Sequence, residues 1–232
     1  NLKSQSDFLK TDDDLKIYTD IEGLYTLPCF PDVLNYYQDI VKEIIETLPV
    51  DGIHFDYFRL ADNDFGFHPK MRLLFAEKTG LNIETTMNNQ QSTMDERLKE
   101  KWMLFVSSQF TDFLKSLTSL SDNVKWSVAV KPDPVEALYK KGQDWLKWLR
   151  KDIVDFVVPM NYTRSTRQFV SNVQYYQTLE PIKNRIWVGI ATYNQSFGSM
   201  KEKEEIIKQY KMNYSFFSYN DLMEKKILKL DK

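Results

Sequence analysis

Short apolar runs alternate with longer amphipathic stretches along most of the chain. The runs are rich in β-branched and aromatic residues and are bounded by Gly, Pro, Asn or Asp, which is typical of strands. The run at 155–162 is almost continuously apolar, as expected for a strand that a parallel sheet buries on both faces. Five strands are predicted, within residues 51–56, 125–130, 155–162, 185–193 and 214–219.

Helical patterns lie between the predicted strands. The first helix covers residues 31–48 with Asp32 as its expected cap, and a shorter helix over 69–78 ends at Gly80 as its expected C-cap. Further helices are predicted around residues 98–117, 143–150, 168–177, 201–210 and after 219. Strands that alternate with helices imply right-handed crossovers and a parallel sheet. We therefore predict an α/β fold organised as a single domain over residues 1–232.

Composition and charge indicate which classes of function are not expected. The net charge is −2, from 31 basic and 33 acidic residues, and no basic cluster alternates with aromatic residues, so no nucleic-acid partner is expected. Cys29 is the single cysteine and there are two histidines, so neither an internal disulfide nor a Cys/His metal site is expected, and no cofactor is predicted. No apolar run is long enough to span a bilayer. The aromatic content of 14% is high, and exposed rings are candidates for a ligand surface.

The run DGIHFDYFR at 51–59 is the first candidate site. In a strand, His54 and Asp56 share one face, and the end of a strand is where a β/α barrel carries its catalytic residues, so Asp56 is the first catalytic candidate. His54 is expected to hydrogen-bond Asp56 or substrate, or to be a satisfied interior imidazole. Tyr57 and Arg59 are candidate substrate contacts, and Arg59 has a salt bridge to Asp62 as its alternative role. The loop over residues 60–68 is judged too polar to be buried and is expected to cover the site.

Three later strands end alike, with a hydroxyl or amide beside a tyrosine. Sugars stack on aromatic rings and need both donors and acceptors for their hydroxyls, so this repeated chemistry favours a carbohydrate ligand. The alternative is that the tyrosines only cover the end of the barrel. The candidate substrate-binding residues are Asn161, Tyr162, Tyr193 and Tyr219.

These motifs resemble the glycosyl-hydrolase-like family 10 barrels, also catalogued as domain of unknown function 187. The resemblance rests on DGIHFDYFR at 51–59 and covers nearly the whole chain through DFGF at 64–67, FAEKTG at 75–80, SVAV at 127–130, GQDW at 142–145, DFVVPMNYT at 155–163, GIATY at 189–193 and FFSY at 216–219. It implies a hydrolase acting on a polysaccharide of the bacterial cell envelope, and hence an extracytoplasmic location.

The first motif is also similar to that of family 18 chitinases, which carry spaced acids on the fourth strand. This chain departs from that pattern, because Phe58 and His54 stand where acids would be, so the chitinase mechanism is not transferred. Met160 and Tyr162 match residues on the sixth strand of those enzymes, where the tyrosine helps hold an N-acetyl group. The substrate expected from this match is an amino-sugar glycan, containing N-acetylglucosamine and of the peptidoglycan type.

The resemblance further implies a TIM-type barrel of eight strands, of which the five predicted strands correspond to strands four to eight. The first three strands are therefore expected to come from a preceding segment or from another chain. Without them, an open edge is expected at the strand over residues 51–56.

Glycoside hydrolysis usually needs two carboxylates. Asp56 is the first, and Asp133 after the second predicted strand is taken as the second, with Asp62, Asp64 and Asp221 left open as alternatives. Two other functions compete with a hydrolase. One is a barrel that binds glycan without cutting it, and the other is a metal-dependent hydrolase, which the small number of histidines disfavours.

Overall fold

A computed structural model of the chain describes residues 26–61, 67–83 and 96–224. Helices and strands alternate through these residues, with a 3₁₀ turn at Lys183–Arg185. The elements are α1 (Pro31–Thr47), β1 (Gly52–Phe55), α2 (Pro69–Thr79), α3 (Glu96–Thr118), β2 (Lys125–Val130), α4 (Pro134–Lys141), α5 (Trp145–Arg150), β3 (Phe156–Pro159), α6 (Thr166–Gln177), β4 (Trp187–Ala191), α7 (Phe197–Gln209), β5 (Asn213–Phe217) and α8 (Tyr219–Glu224).

The strands are parallel and are ordered as they occur along the chain. One sheet has the order β1-β2-β3, a second pairs β4 with β5, and a parallel bridge between Val157 and Ile186 joins β3 to the residue before β4. The predicted mixed α/β fold with parallel strands is confirmed. Among the described residues, the strand that pairs with β1 is β2.

The described chain forms two compact units, and the strands all belong to one of them, here the strand unit, made of Gly52–Asp56, Lys125–Pro134 and the chain from Trp145 onward. Its helix-covered face holds Val157, Val188 and Ile190, which have no solvent exposure. Helix α7 packs on β4 and β5, and α5 packs on β3. Burial of these apolar side chains supplies the main stabilisation of the unit.

The strand unit is fastened where the strands begin. The carboxylate of Asp155 accepts hydrogen bonds from the Lys125 ammonium and the Trp126 N–H, both at 2.8 Å. Burial raises the pKa of Asp155, but these bonds and charges outweigh it and lower the pKa overall. Arg185 donates to the carbonyl of Asp155 and pairs with Asp152 at 2.7 Å. Asp155 thus ties adjacent strands together at their N-terminal ends.

The other compact unit, here the helical unit, holds α1 to α3, most of α4 and the segment from Tyr57 to Ala61. Helices α1 and α3 pack together. The core is aromatic and includes Trp102, Phe75, Phe105, Phe110 and Phe113. None of the helices in the described parts of either unit is long and apolar enough to cross a membrane.

Several predicted details of the helical unit are wrong. Helix α1 begins at Pro31 after an uncapped Phe30, so Asp32 lies in the first turn and is not the cap. The start of the loop over residues 60–68 is buried, because Leu60 donates its N–H to the Lys141 carbonyl at 2.9 Å. Helix α4 has no counterpart among the predicted elements. The Gly80 C-cap is confirmed by its left-handed backbone, with φ of 70°.

Candidate active site

His54 lies on the more exposed face of β1, and Asp56 immediately follows the strand in the same phase. Side-chain burial alternates along β1, so Ile53 and Phe55 occupy the opposite, more buried face. The register pairs His54 with Ser127, and the His54 Nδ1 lies 2.8 Å from the Ser127 Oγ. Partial removal of water lowers the pKa of His54, and the negative charge of Asp56 opposes that change. His54 is therefore held by β2 and interacts electrostatically with Asp56.

Asp56 is exposed, and its charge acts on Tyr162 as well as on His54. Burial is the main reason that the pKa of the Tyr162 hydroxyl is raised, and the charges of Asp56 and Tyr193 add to it. A neighbouring negative charge disfavours ionisation of a phenol, so Tyr162 stays neutral. The structure therefore brings together four of the predicted residues: Asp56, His54, Tyr162 and Tyr193.

Tyr162, Tyr193 and Phe217 form an aromatic corner. The Tyr162 and Phe217 rings are stacked, with centroids 5.6 Å apart and planes 12° from parallel. The Tyr193 ring stands almost perpendicular to both, at 83° and 89°, with 6.2 Å between centroids in each case. Tyr193 is 51% exposed and Phe217 is 49% exposed, so two rings of the corner present large surfaces to solvent.

Gly189 makes room for this corner. A Cβ at this position would lie 2.8 Å from the Pro159 carbonyl oxygen and 3.0 Å from Cε1 of Tyr162. Any other residue would collide with main chain that cannot yield, so the absence of a side chain lets β4 and the Tyr162 ring approach closely.

Phe217 is a candidate missed by the sequence reasoning. It is the last residue of β5 and pairs in register with Ala191. The sequence signal for it is the same strand-end position that identifies Tyr162, although Phe217 lacks the hydroxyl that Tyr219 carries two residues later. Tyr219 is also exposed, at 58%, and is the first residue of α8.

Polar contacts hold the strand ends that carry the rings. The Asn194 amide donates to the Tyr162 carbonyl at 2.7 Å, which joins the ends of β3 and β4. The Thr192 hydroxyl accepts a 2.7 Å bond from the Ser218 N–H and lies 3.1 Å from the Ser218 carbonyl, which joins the ends of β4 and β5. Three successive strand ends are therefore linked by hydrogen bonds that do not involve the aromatic rings.

Two of the predicted polar residues are engaged within this network. Asn161 is buried, its amide nitrogen lies 3.4 Å from the Phe169 carbonyl, and its amide oxygen accepts from Asn172 at 2.8 Å. Asp221, a candidate for the second carboxylate, accepts hydrogen bonds from the hydroxyls of Ser218 and Thr192. The contacts of both residues stabilise the fold, so Asn161 or Asp221 would have to give up a present partner in order to bind a ligand.

Asp133, the predicted second carboxylate, is exposed just before α4. Its charge raises the pKa of Tyr176, for which burial is the larger cause, and the Tyr176 hydroxyl donates to the Pro132 carbonyl at 2.9 Å. These contacts place Asp133 beside α6. Asp62 and Asp64, which are also candidates for the second carboxylate, lie outside the described residues.

Tyr57 and Arg59 belong to the helical unit. Tyr57 has a left-handed backbone with φ of 54° and is 54% exposed. The Arg59 guanidinium carbon lies 5.2 Å from the centre of the Tyr57 ring, and Arg59 is buried, with Nη1 donating to the Leu60 carbonyl at 3.3 Å. The predicted salt bridge from Arg59 to Asp62 falls outside the described residues. Within the described parts of the chain, no three His, Cys, Asp or Glu side chains are grouped so that they could hold a metal ion.

Comparison with known proteins is consistent with carbohydrate chemistry. A family model described as glycosyl hydrolase-like 10 matches residues 3–207. A curated relative, glycosyl hydrolase DigH of Escherichia coli O6:H1, is 24% identical over 194 residues, which cover 78% of this chain and 42% of that protein. The chain thus spans less than half the length of the curated relative that it matches.

Proposed function

The chain belongs to the glycosyl hydrolase-like 10 family, and from that premise we propose that it cleaves an amino-sugar glycan of the cell envelope. The proposed substrate contains N-acetylglucosamine and is of the peptidoglycan type. The observation that carries this proposal is the position of Asp56, an exposed carboxylate at a strand end that acts electrostatically on the Tyr162 of the aromatic corner. Such a carboxylate can supply one of the two carboxyl groups that glycoside hydrolysis uses, and the neighbouring rings offer a surface on which sugars stack.

In the proposed reaction, Asp56 is one of two carboxyl groups acting on the glycosidic bond. One carboxyl group donates a proton to the leaving oxygen, while a carboxylate acts as base or nucleophile. A retaining enzyme places the two groups about 5–5.5 Å apart and an inverting enzyme about 6.5–9.5 Å apart. Asp133 is the proposed partner, and Asp62, Asp64 and Asp221 could each take its place.

The remaining predicted residues have binding roles in this proposal. The aromatic corner stacks on sugar rings, and Tyr219 extends the aromatic surface at the end of β5. His54, held by Ser127, offers its second ring nitrogen to a sugar hydroxyl or to Asp56. Further proposed substrate contacts are Asn161, Tyr57 and Arg59. Each would exchange one of its present contacts for substrate or add substrate as a further partner.

The proposal includes a TIM-type barrel and a location outside the cytoplasm. Five parallel strands in chain order support the barrel, and the open edge of β1 is where the completing strands, from another segment or chain, would pair. Resemblance to the family supports the extracytoplasmic location. Fractionation of the native host, with detection by an antibody against this chain, would test that location directly.

Glycan binding without cleavage is the second candidate function. It is favoured by the aromatic corner, which requires no second carboxylate. The test is incubation with peptide-free peptidoglycan strands and with a soluble N-acetylglucosamine oligomer, followed by measurement of new reducing ends and of binding by calorimetry. New reducing ends that disappear in Asp56→Asn support hydrolysis, and binding without new ends supports the second candidate. If the protein neither produces new ends nor binds, both candidates are refuted.

A further inference from the structure

Helix α7 carries a lysine whose side chain is completely removed from solvent. Lys203 has no exposed surface, and its Nζ donates to the Thr163 carbonyl and the Gln195 Oε1, both at 2.5 Å. The same Nζ lies 5.4 Å from the centre of the Phe169 ring. Thr163 belongs to the connection that follows β3, and Gln195 belongs to the one that follows β4.

A buried ammonium group is costly, and its position shows what it does. Burial lowers the pKa of Lys203, and the neighbouring charge of Glu202 opposes that change. Its two short bonds satisfy the Thr163 carbonyl and the Gln195 Oε1, in the residues just after Tyr162 and just after Asn194. Removal of the ammonium group alone would leave both acceptors without this donor.

Further contacts continue this arrangement. The Gln195 side chain donates to the Ala191 carbonyl and accepts from the Ser199 hydroxyl, and Asn194 donates to the Tyr162 carbonyl at 2.7 Å. The connections that follow β3 and β4 are thus both bonded to α7 by the Lys203 ammonium group, and Ser199 of the same helix adds a second bond to Gln195.

We propose that Lys203 is a positioning residue for substrate, which clamps the connections after β3 and β4 so that Tyr162 and Tyr193 keep their perpendicular arrangement. This inference rests on the proposed function for its sugar ligand, but the clamp itself can be tested without any ligand.

The first experiment measures backbone hydrogen exchange by mass spectrometry in Lys203→Met. Exchange should accelerate about tenfold in the connections after β3 and β4, more than elsewhere in the strand unit, and the thermal midpoint should fall by a few degrees because two buried acceptors lose their donor. Lys201→Met is the matched control, because Lys201 lies on the same helix but pairs with Glu204 at 2.7 Å. Unchanged exchange in the two connections, or equally faster exchange throughout the strand unit, would overturn the clamp.

A second variant guards against misfolding of Lys203→Met. Gln195→Met removes one acceptor of the ammonium group and the donor to the Ala191 carbonyl, and should speed exchange in the connection after β4. Unchanged exchange there in Gln195→Met would also contradict the proposal.

The second experiment measures binding of a soluble N-acetylglucosamine oligomer by calorimetry. Affinity should fall about tenfold in Lys203→Met, because Tyr162 and Tyr193 would no longer be held in position to stack on the sugar. It should stay within about twofold in Lys201→Met. If Lys203→Met loosens both connections yet binds as wild type does, the positioning role is wrong. If wild-type protein does not bind the oligomer, the proposed substrate class fails, and the exchange result still decides the clamp.

Discussion

Asp56 and His54 lie two positions apart and share a strand face, yet their surroundings give them different chemistry. Asp56 is exposed, whereas Ser127 fixes one nitrogen of the His54 ring and the loss of water favours its neutral form. An exposed carboxylate contributes little to packing, so its removal should affect chemistry far more than stability.

We therefore expect Asp56→Asn to lower glycan cleavage by at least about a hundredfold, with a thermal midpoint within a few degrees of wild type. New reducing ends and a thermal melt are the two measurements. Asp122→Asn, a change of the same type at an exposed position in the helical unit, should leave both unaltered. Near-normal turnover in Asp56→Asn would remove Asp56 from the mechanism.

The His54 ring offers a prediction that needs no substrate. Its pKa should lie below the usual value of about 6.5 and should fall further in Asp56→Asn, because the Asp56 charge opposes the shift. Proton NMR of the two imidazoles would measure this, with His54→Gln identifying which signal belongs to His54. An unchanged pKa in Asp56→Asn would show that the two groups do not interact.

That lowered pKa also has a consequence for stability. The folded protein resists protonation of His54, so the unfolded chain binds the additional proton as the pH falls through about 6.5, and stability decreases there. In His54→Gln, the loss of stability between about pH 7 and pH 5 should be smaller. Denaturant melts at the two pH values would show it, and an equal or larger loss would contradict the assignment.

Alternation along a strand was sufficient to place His54 and Asp56 on one face, because that rule is local. It could not identify Ser127 or Phe217 as neighbours of the site, because the register between distant segments sets those contacts. The strand β2 was predicted with its observed limits, since its apolar run is bounded on both sides by polar and turn residues. Helix α4 was missed because its eight residues are short, begin with proline and carry a mixed pattern. Asp32 failed as a cap because Pro31 already fits the first helical position.

The contact between α7 and β5 predicts how stability depends on pH. Burial alone would raise the pKa of Glu204, but hydrogen bonds from Lys201, Lys208 and Tyr214 lower it to about 2. A lowered carboxyl pKa gives stability that is present above the unfolded value, near 4.5, and is lost as the pH falls towards 2. Glu204→Gln should therefore cost about 2 kcal/mol at neutral pH and progressively less below about pH 4.

Chemical denaturation at a series of pH values would measure that difference. Glu205→Gln is the control, because Glu205 bonds Lys208 from a largely exposed position, at 62% side-chain exposure. A pH-independent difference between Glu204→Gln and wild type would show that the ionised carboxylate is not what joins α7 to β5.

If the aromatic corner binds sugar, removal of one of its rings should weaken sugar binding more than removal of an exposed ring elsewhere. Phe217→Ala should weaken binding of a soluble N-acetylglucosamine oligomer about tenfold, because a stacked ring loses its apolar contact with the sugar. Phe197→Ala removes a ring of equal exposure, 49%, from the start of α7 and should have little effect. Calorimetry would compare them, and equal losses in both would mean that the corner does not specifically bind the sugar.

The open edge of β1 bears on the whole assembly. Among the described residues β1 pairs with β2 on one side, and an edge strand of a parallel sheet uses only part of its backbone groups for pairing, so the amides of β1 should exchange faster than those of β2. Residue-resolved hydrogen exchange by NMR would test this. Protection of every amide in β1 would mean that the edge is covered, and that the proposed completing strands have no place to pair there.

The hydrogen bonds that link the ends of β3, β4 and β5 run between main-chain groups and the side chains of Asn194 and Thr192, and none of them involves a ring of the corner. The hydrogen bonds that hold the strand ends and the exposed rings of the aromatic corner can therefore be changed independently, by evolution or by protein engineering. Under the proposed function, exchanging Tyr193 or Phe217 for another aromatic or polar residue would change which polymer fits while leaving the scaffold bonds in place. Selection for a new ligand can then act on these exposed positions without loss of the fold.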